Sequence, residues 1–256
     1  MSEGYERERS FLKANWERVE GEWRSDQTLG LPAPPLEESP KEGERLFALP
    51  PSAGFEERGG ALLSLLRGRK SRRKFAADPF RLEELAFLCW AAAGIRDRRN
   101  EVTAFRTYPS GGCRHPLDLF VFAARVRGLP AGLYRYLPVE HALALVREGD
   151  DSGALDEALF EQYWKAAAVF VWAAVPYRTE WRYGPVSHKI ILLDAGHACE
   201  NLYLACEAIG AGTCAIGAYD QAKLDAYLGL DGKDRFALYA APVGRSPEGK
   251  AAAGAD

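Results

Sequence analysis

The chain lacks any run of about 18 apolar residues, so no transmembrane span is expected. Its opening, MSEGYERERS, is charged and has no apolar h-region, which argues against a secretory signal. Five cysteines form no CxxC pair and are odd in number, so they read as reduced, mostly buried thiols of a cytoplasmic protein. Cys199 and Cys206 fall on one face of an expected helix and read as small packing residues. Four histidines (His115, His141, His188, His197) show no metal-ligand spacing, and no metal site is expected. His197, between Asp194 and Asn201, reads as a satisfied buried imidazole. Ser110 lies in PSGG and not in G-x-S-x-G, so no hydrolase elbow is indicated. There is no excess of positive charge either: 33 Lys+Arg stand against 36 Asp+Glu, a net charge of −3. Nothing global draws the chain to nucleic acid or to an anionic membrane, so any anion site has to be local.

What is present is a large apolar fraction, 47% of 256 residues, ample for a sizeable core. Residues 5–24 place Phe11, Leu12, Trp16, Val19 and Trp23 near helical spacing, an amphipathic helix with two Trp anchors. The Pro-rich stretch at 30–54 blocks helix and central strand alike and reads as a strap or linker. Residues 1–54 are thus expected to form a helix and strap, and 55–256 the main domain. Within it, helices are expected at 56–67, 81–93, 153–165, 187–210 and 220–228. Strands are expected at 117–126, 132–137, 168–175, 212–217 and 236–243. The stretch AVFVWAAV at 168–175 is apolar throughout, which suits a central strand covered on both faces. This mixture indicates α+β layers.

The helix at 187–210 is apolar over most of its surface. Ile191, Ala195, Ala198, Leu202, Ala205 and Ile209 follow a 4-3-4-3-4 spacing, and Ile190, Leu193, Cys199 and Tyr203 widen the face. It reads as a core helix or as one shared with a second copy of the chain.

Three segments carry chemistry. RGRKSRRK at 67–74 holds six basic residues in eight. A solvated face and a nucleic-acid patch are alternatives, but no aromatics interleave with the charges. In an extended segment Arg69, Ser71 and Arg73 share one side and Lys70, Arg72 and Lys74 the other. Two guanidinium forks flanking a hydroxyl make a cradle for a phosphate dianion. RTYPSGGCRHP at 106–116 is a loop whose Gly111 and Gly112 let backbone approach a flat ligand; taken alone it reads as a tight turn. GTCAIGAYD, after the helix stop at Gly210, reads as a strand turning at Gly217, with Asp220 as the N-cap of the helix 221–228.

In order and spacing these segments, with LPAPPLEESP, GLYRYLP, DAGHACENLYLACEAIGAG and YAAPVGR, resemble the nitroreductase superfamily, and within it the SagB-type dehydrogenases that include azoline oxidases. The likeness runs from about residue 30 to 245. It implies a three-layer sandwich, with a central mixed or antiparallel sheet flanked by helices, in an intertwined homodimer that binds FMN. The resemblance assigns the cofactor to Arg69, Lys70, Ser71, Arg73, Pro109, Ser110, Gly111, Ala215, Ile216, Gly217 and Arg245. It implies hydride transfer through flavin N5, with NAD(P)H or a peptide azoline as donor and a small flat acceptor or a modified peptide as partner. Azoline oxidases of this type place a Lys-Tyr pair before the long helix. Here the pair is Arg182-Tyr183, the catalytic candidates, and Arg stays protonated in proteins. The alternative is a catalytically degenerate flavin-fold scaffold in a peptide-modification complex.

Overall fold

The computed structural model describes residues 24–51 and 62–247. Residues 5–23 of the expected N-terminal helix, with Trp16 and Trp23, and residues 56–61 of the next helix lie outside the described residues. The elements run β1 (Leu46–Ala48), α1 (Leu62–Gly68), β2 (Phe80–Arg81), α2 (Leu82–Ala93), β3 (Ile95–Arg98), β4 (Ala104–Arg106), β5 (Leu117–Ala123), β6 (Val126–Arg127), β7 (Gly132–Leu137), β8 (Ala142–Glu148), α3 (Ser152–Ala158), β9 (Ala168–Ala174), α4 (Tyr177–Tyr183), α5 (Ser187–Ala208), β10 (Ala211–Thr213), α6 (Gln221–Leu228) and β11 (Phe236–Arg245).

Seven strands form one sheet in the order β1-β8-β7-β5-β9-β11-β10, and every neighbouring pair is antiparallel. The central strands β5 and β9 are buried at every residue. Their side chains alternate between two cores, as the two-residue period of a strand requires. Leu119, Val121, Phe170 and Trp172 join the cluster containing Leu85 and Leu88 of α2 and Ala195, Ala198 and Leu202 of α5. Phe120, Phe122, Val169 and Val171 join Leu155 of α3 and Leu224 of α6. The result is the three-layer α+β sandwich, with helices on both faces of an antiparallel sheet.

The strap at 24–51 lies against this domain. The buried Arg106 donates to the carbonyl of Leu36 (3.1 Å), Arg135 donates to that of Glu38 (2.9 Å), and β1 adds a strand beside β8. The strap also reaches α4: Trp181 Nε1 donates to the Leu31 carbonyl (3.2 Å) and the Gln27 amide to the Trp181 carbonyl (3.0 Å). Arg178, one turn earlier on α4, is paired at 2.7 Å with the buried Asp118 of β5. Together these contacts fix the short helix that ends in Arg182 and Tyr183.

Three expectations are corrected. The helix expected at 153–165 stops at Ala158, because the backbone turns left-handed at Phe160, Glu161, Trp164 and Lys165. The strand expected at 212–217 regularises only at Ala211–Thr213, and then touches β11 again at an isolated bridge between Ile216 and Ala240. His197 is exposed, not buried, and so are Leu192 and Leu193, so within one chain α5 is not covered all round. Cys89, Cys199, Cys206 and Cys214 are buried as expected, and Cys113 is partly so.

Candidate functional site

The site is strung along α5. Near its C-terminal end, the segment after α1 runs extended past the sheet edge. Ser71 bridges to Thr213 of β10, and the Arg72 amide donates to the Thr213 carbonyl (2.9 Å). The side chains do not divide by the expected alternation: Arg69, Ser71 and Arg72 all turn to α5, whereas Arg73 turns to Trp164, which packs with the core on the other face of the sheet. Ser71 Oγ lies 3.0 Å from the Tyr203 hydroxyl, and the Arg69 guanidinium lies 5.4 Å from the centre of the Tyr203 ring. Arg72 turns to Glu207, one helical turn further along α5, in a 2.6 Å ion pair. Arg73 sits 5.8 Å from the ring centre of Trp164, in the left-handed stretch after α3. Lys70 is exposed. Arg72 is therefore neutralised, whereas Arg69 and Arg73 make no ion pair among the described residues and stack on aromatic faces. Arg69 thus lies on the Tyr203 side of the segment and Arg73 on the Trp164 side, each with a fork of donors of the kind that pairs with phosphate oxygens.

The Tyr203 hydroxyl joins this segment to the turn after β10. The Ala215 amide donates to it at 2.8 Å, and Ser71 Oγ shares a hydrogen bond with it on the other side. Burial raises the Tyr203 pKa above the phenol's ordinary value, and the phenol remains protonated. Ile216 is buried and locked into the sheet by reciprocal bonds with Ala240 (2.7 and 3.1 Å), while Gly217 is exposed. Arg69, Ser71 and Ala215 are thus brought together on one phenol, with Ile216 and Gly217 next along the turn. Arg245 has other partners: Glu84 of α2 (2.5 Å), the Ile209 carbonyl (3.1 Å) and the Phe80 ring beneath it (5.1 Å). Burial pushes the Glu84 carboxyl up, but bonds from Arg245 and Arg81 outweigh this and hold it below the usual range.

Towards the N-terminal end of α5 the loop of Pro109, Ser110 and Gly111 meets Asp194, nine residues and about 14 Å of helix before Tyr203. Ser110 Oγ donates to Asp194 Oδ2 at 2.5 Å, and the Gly111 amide donates to Oδ1 at 3.2 Å. Gly112 has φ +57°, and a Cβ there would lie 2.5 Å from the Tyr183 hydroxyl and 2.9 Å from Arg182 Cδ. The Arg182-Tyr183 pair therefore stands against this loop. Arg182 is exposed, with its guanidinium 5.5 Å from the centre of the Tyr183 ring.

Tyr203, Asp194 and Glu207 join these segments and were not singled out from sequence for that role. Tyr203 counted there as part of an apolar face. The usable signal was polarity on the apolar side: Asp194 is buried and Tyr203 and Glu207 half-buried, and such groups have to find partners.

Comparison with known proteins gives the family and the fold. The family model described as "Nitroreductase family" matches residues 66–245. A nitroreductase-type protein of Methanocaldococcus jannaschii is 31% identical over 189 residues, 73% of this chain and 92% of that one. A shorter match, 30% identical over 112 residues, is to the trifolitoxin-processing protein TfxB of Rhizobium leguminosarum; it spans 41% of this chain and 30% of TfxB. Among solved structures, a nitroreductase-type protein from Ralstonia eutropha superposes with a TM-score of 0.66 at 28% identity, covering 84% of this chain and 99% of that one. A chain of the Escherichia coli microcin synthetase McbBCD complex shares the fold, with a TM-score of 0.62 at 19% identity over 93% of this chain and 94% of its own. With the matched residues running from the basic segment through α5 to the end of β11, the chain belongs to the nitroreductase family of oxidoreductases.

Proposed function

We propose that this chain is an FMN-dependent oxidoreductase with a SagB-type dehydrogenase-like site, working as a cytoplasmic homodimer. The observation that carries the reading is the Tyr203 junction. It ties a segment whose Arg69 and Arg73 pair with no carboxylate among the described residues to the 215–217 turn. FMN, when bound, supplies hydride acceptance and donation at N5, chemistry that no side chain here possesses. In this reading Arg69, Lys70, Ser71 and Arg73 grip the phosphate and the polar edge of the ring. Ala215, Ile216 and Gly217 border its reactive edge, and Pro109, Ser110 and Gly111 lie along its face. Arg245 supports the phosphate side through Ile209 and Glu84. Tyr183 is the group able to give or take a proton, and Arg182 holds a permanent positive charge beside it. NAD(P)H is the proposed donor and a small flat molecule the acceptor.

The match to a trifolitoxin-processing protein supports a second reading, in which the donor is an azoline ring of a modified peptide. A scaffold without turnover is the third. The purified protein should be yellow and release FMN on denaturation, identified by mass; colourless protein that ignores added FMN would end the proposal. Stopped-flow mixing then separates the readings. Bleaching by NADH or NADPH supports the first. A loss of two hydrogens per ring from a cyclodehydratase-treated peptide supports the second. Failure of both leaves the scaffold.

A further inference from the structure

Asp194 is 3% exposed, an expensive place for a carboxylate unless it is hydrogen-bonded. Both its oxygens accept from one loop: Oδ2 from Ser110 Oγ (2.5 Å) and Oδ1 from the Gly111 amide (3.2 Å). Ser110 Oγ in turn accepts from the His115 amide (2.9 Å), so one carboxylate organises both ends of the turn. The same loop is wedged from two sides. A Cβ on Gly111 would lie 2.4 Å from Ile190 Cγ2 of α5, and one on Gly112 would lie 2.5 Å from the Tyr183 hydroxyl. Asp194 therefore sets where the loop sits against the end of α4.

We propose, resting on the FMN reading above, that Asp194 is a positioning residue. It holds the 109–112 loop and the Arg182-Tyr183 pair in one wall against which the flat acceptor is placed. A structural role alone would ask only that the turn stay closed, which the His115-to-Ser110 bond already does. The carboxylate adds a fixed height above α5, and it is sensitive to its own charge. Burial pushes its pKa up to about 6, against the pull of Ser110, Gly111 and His197. Tyr108 at the head of the loop feels its charge, and beyond Gly112 stand Arg182 and Tyr183 of α4. Once protonated, Asp194 brings a donor of its own into a site where Ser110 and Gly111 are already donors. The wall then loosens as pH falls through this value.

The test uses the full chain loaded with FMN, with Asp194→Asn as an isosteric variant and Ser110→Ala as a milder one. Hydrogen exchange, corrected for intrinsic rates, reads the peptide spanning 109–115 on either side of pH 6. Acceptor KM and FMN affinity are measured in parallel. Asp194→Asn should reduce protection of that peptide about tenfold, as loss of a charge-assisted bond would. It should also flatten the pH dependence and raise acceptor KM by a larger factor than it weakens FMN binding, since the loop it holds also lies along the flavin in this reading. Ser110→Ala should fall between the two. Unchanged protection and an unchanged pH profile in Asp194→Asn overturn the proposal; so does a uniform loss of protection across every peptide, which marks a merely structural residue. If the wild type binds no FMN, the cofactor reading falls, and the exchange data still decide whether Asp194 holds the loop.

Discussion

Glu37 shows how burial turns a side chain into a pH-dependent part of the fold. It lies in the strap, 8% exposed, and one oxygen accepts from the Val139 amide at 3.0 Å. Among the described residues the other oxygen finds no donor, but protonation makes the carboxyl a donor towards Glu140. Burial, and then that bond, push its pKa up to about 8. The folded state thus holds a proton that the unfolded chain releases near 4.5. The stability this contributes is fully present below the lower value and is lost as pH rises through the upper one. Glu37→Gln should therefore flatten the fall in stability between about pH 4.5 and 8, gaining on the order of 2 kcal/mol over the parent above the upper value. Urea titrations at several pH values check it; parallel curves for the two proteins would refute it. At the other site, replacing both Arg69 and Arg73 by Ala should weaken FMN binding at least about a hundredfold, since each charge-assisted bond contributes about 1.5–3 kcal/mol. An equilibrium titration of the apoprotein followed by flavin fluorescence measures it. Tyr203→Phe keeps the ring under Arg69 and removes the bridge, so its binding loss should be smaller than that of the double variant.

At the scale of elements, α6 carries its own start and stop signals. Asp220 caps it, with Oδ1 accepting from the Lys223 amide at 3.0 Å. Asp220→Ala should lower stability by about 1 kcal/mol, read as a shift in the denaturant midpoint at unchanged slope. This helix was legible because cap, helix and the following Gly229 are all local signals. The same holds for β7 at 132–137, bounded by turn residues, and for β9, whose unbroken apolar run could only be central. The elements that were missed lack local signals. β8, ALALVRE, is composed partly of good helix formers and is a strand because β7 and β1 pair with it on either side. β3, IRDR, is short and charged, and α4 is seven residues between Pro176 and Gly184. The site divides in the same way. The basic segment and the PSGG loop announce themselves in consecutive residues. Asp194, Tyr203 and Glu207 acquire their roles only when segments more than 80 residues away in sequence are folded against α5.

For the whole molecule, the question is what covers α5. Leu192 is 43% and Leu193 54% exposed beside Gly196 and His197. α1, which packs on α5, leaves Leu62, Leu63 and Leu66 more than half exposed. Large apolar side chains left exposed on two helices that pack on each other are interaction surface by their chemistry. The small residues of α5 allow another helix to come close. A second copy of the same chain is the partner the homodimer reading supplies, and a two-fold pairing would place each patch against itself. Leu193→Glu puts two like charges at such a self-facing position, so it should shift the protein from dimer to monomer in sedimentation velocity at micromolar concentration. If the two subunits build the flavin site jointly, FMN affinity should fall in the same variant even though Arg69, Ser71 and Arg73 are intact. A wild-type chain that sediments as a monomer with FMN bound would separate the cofactor from the dimer and leave this face to a different partner.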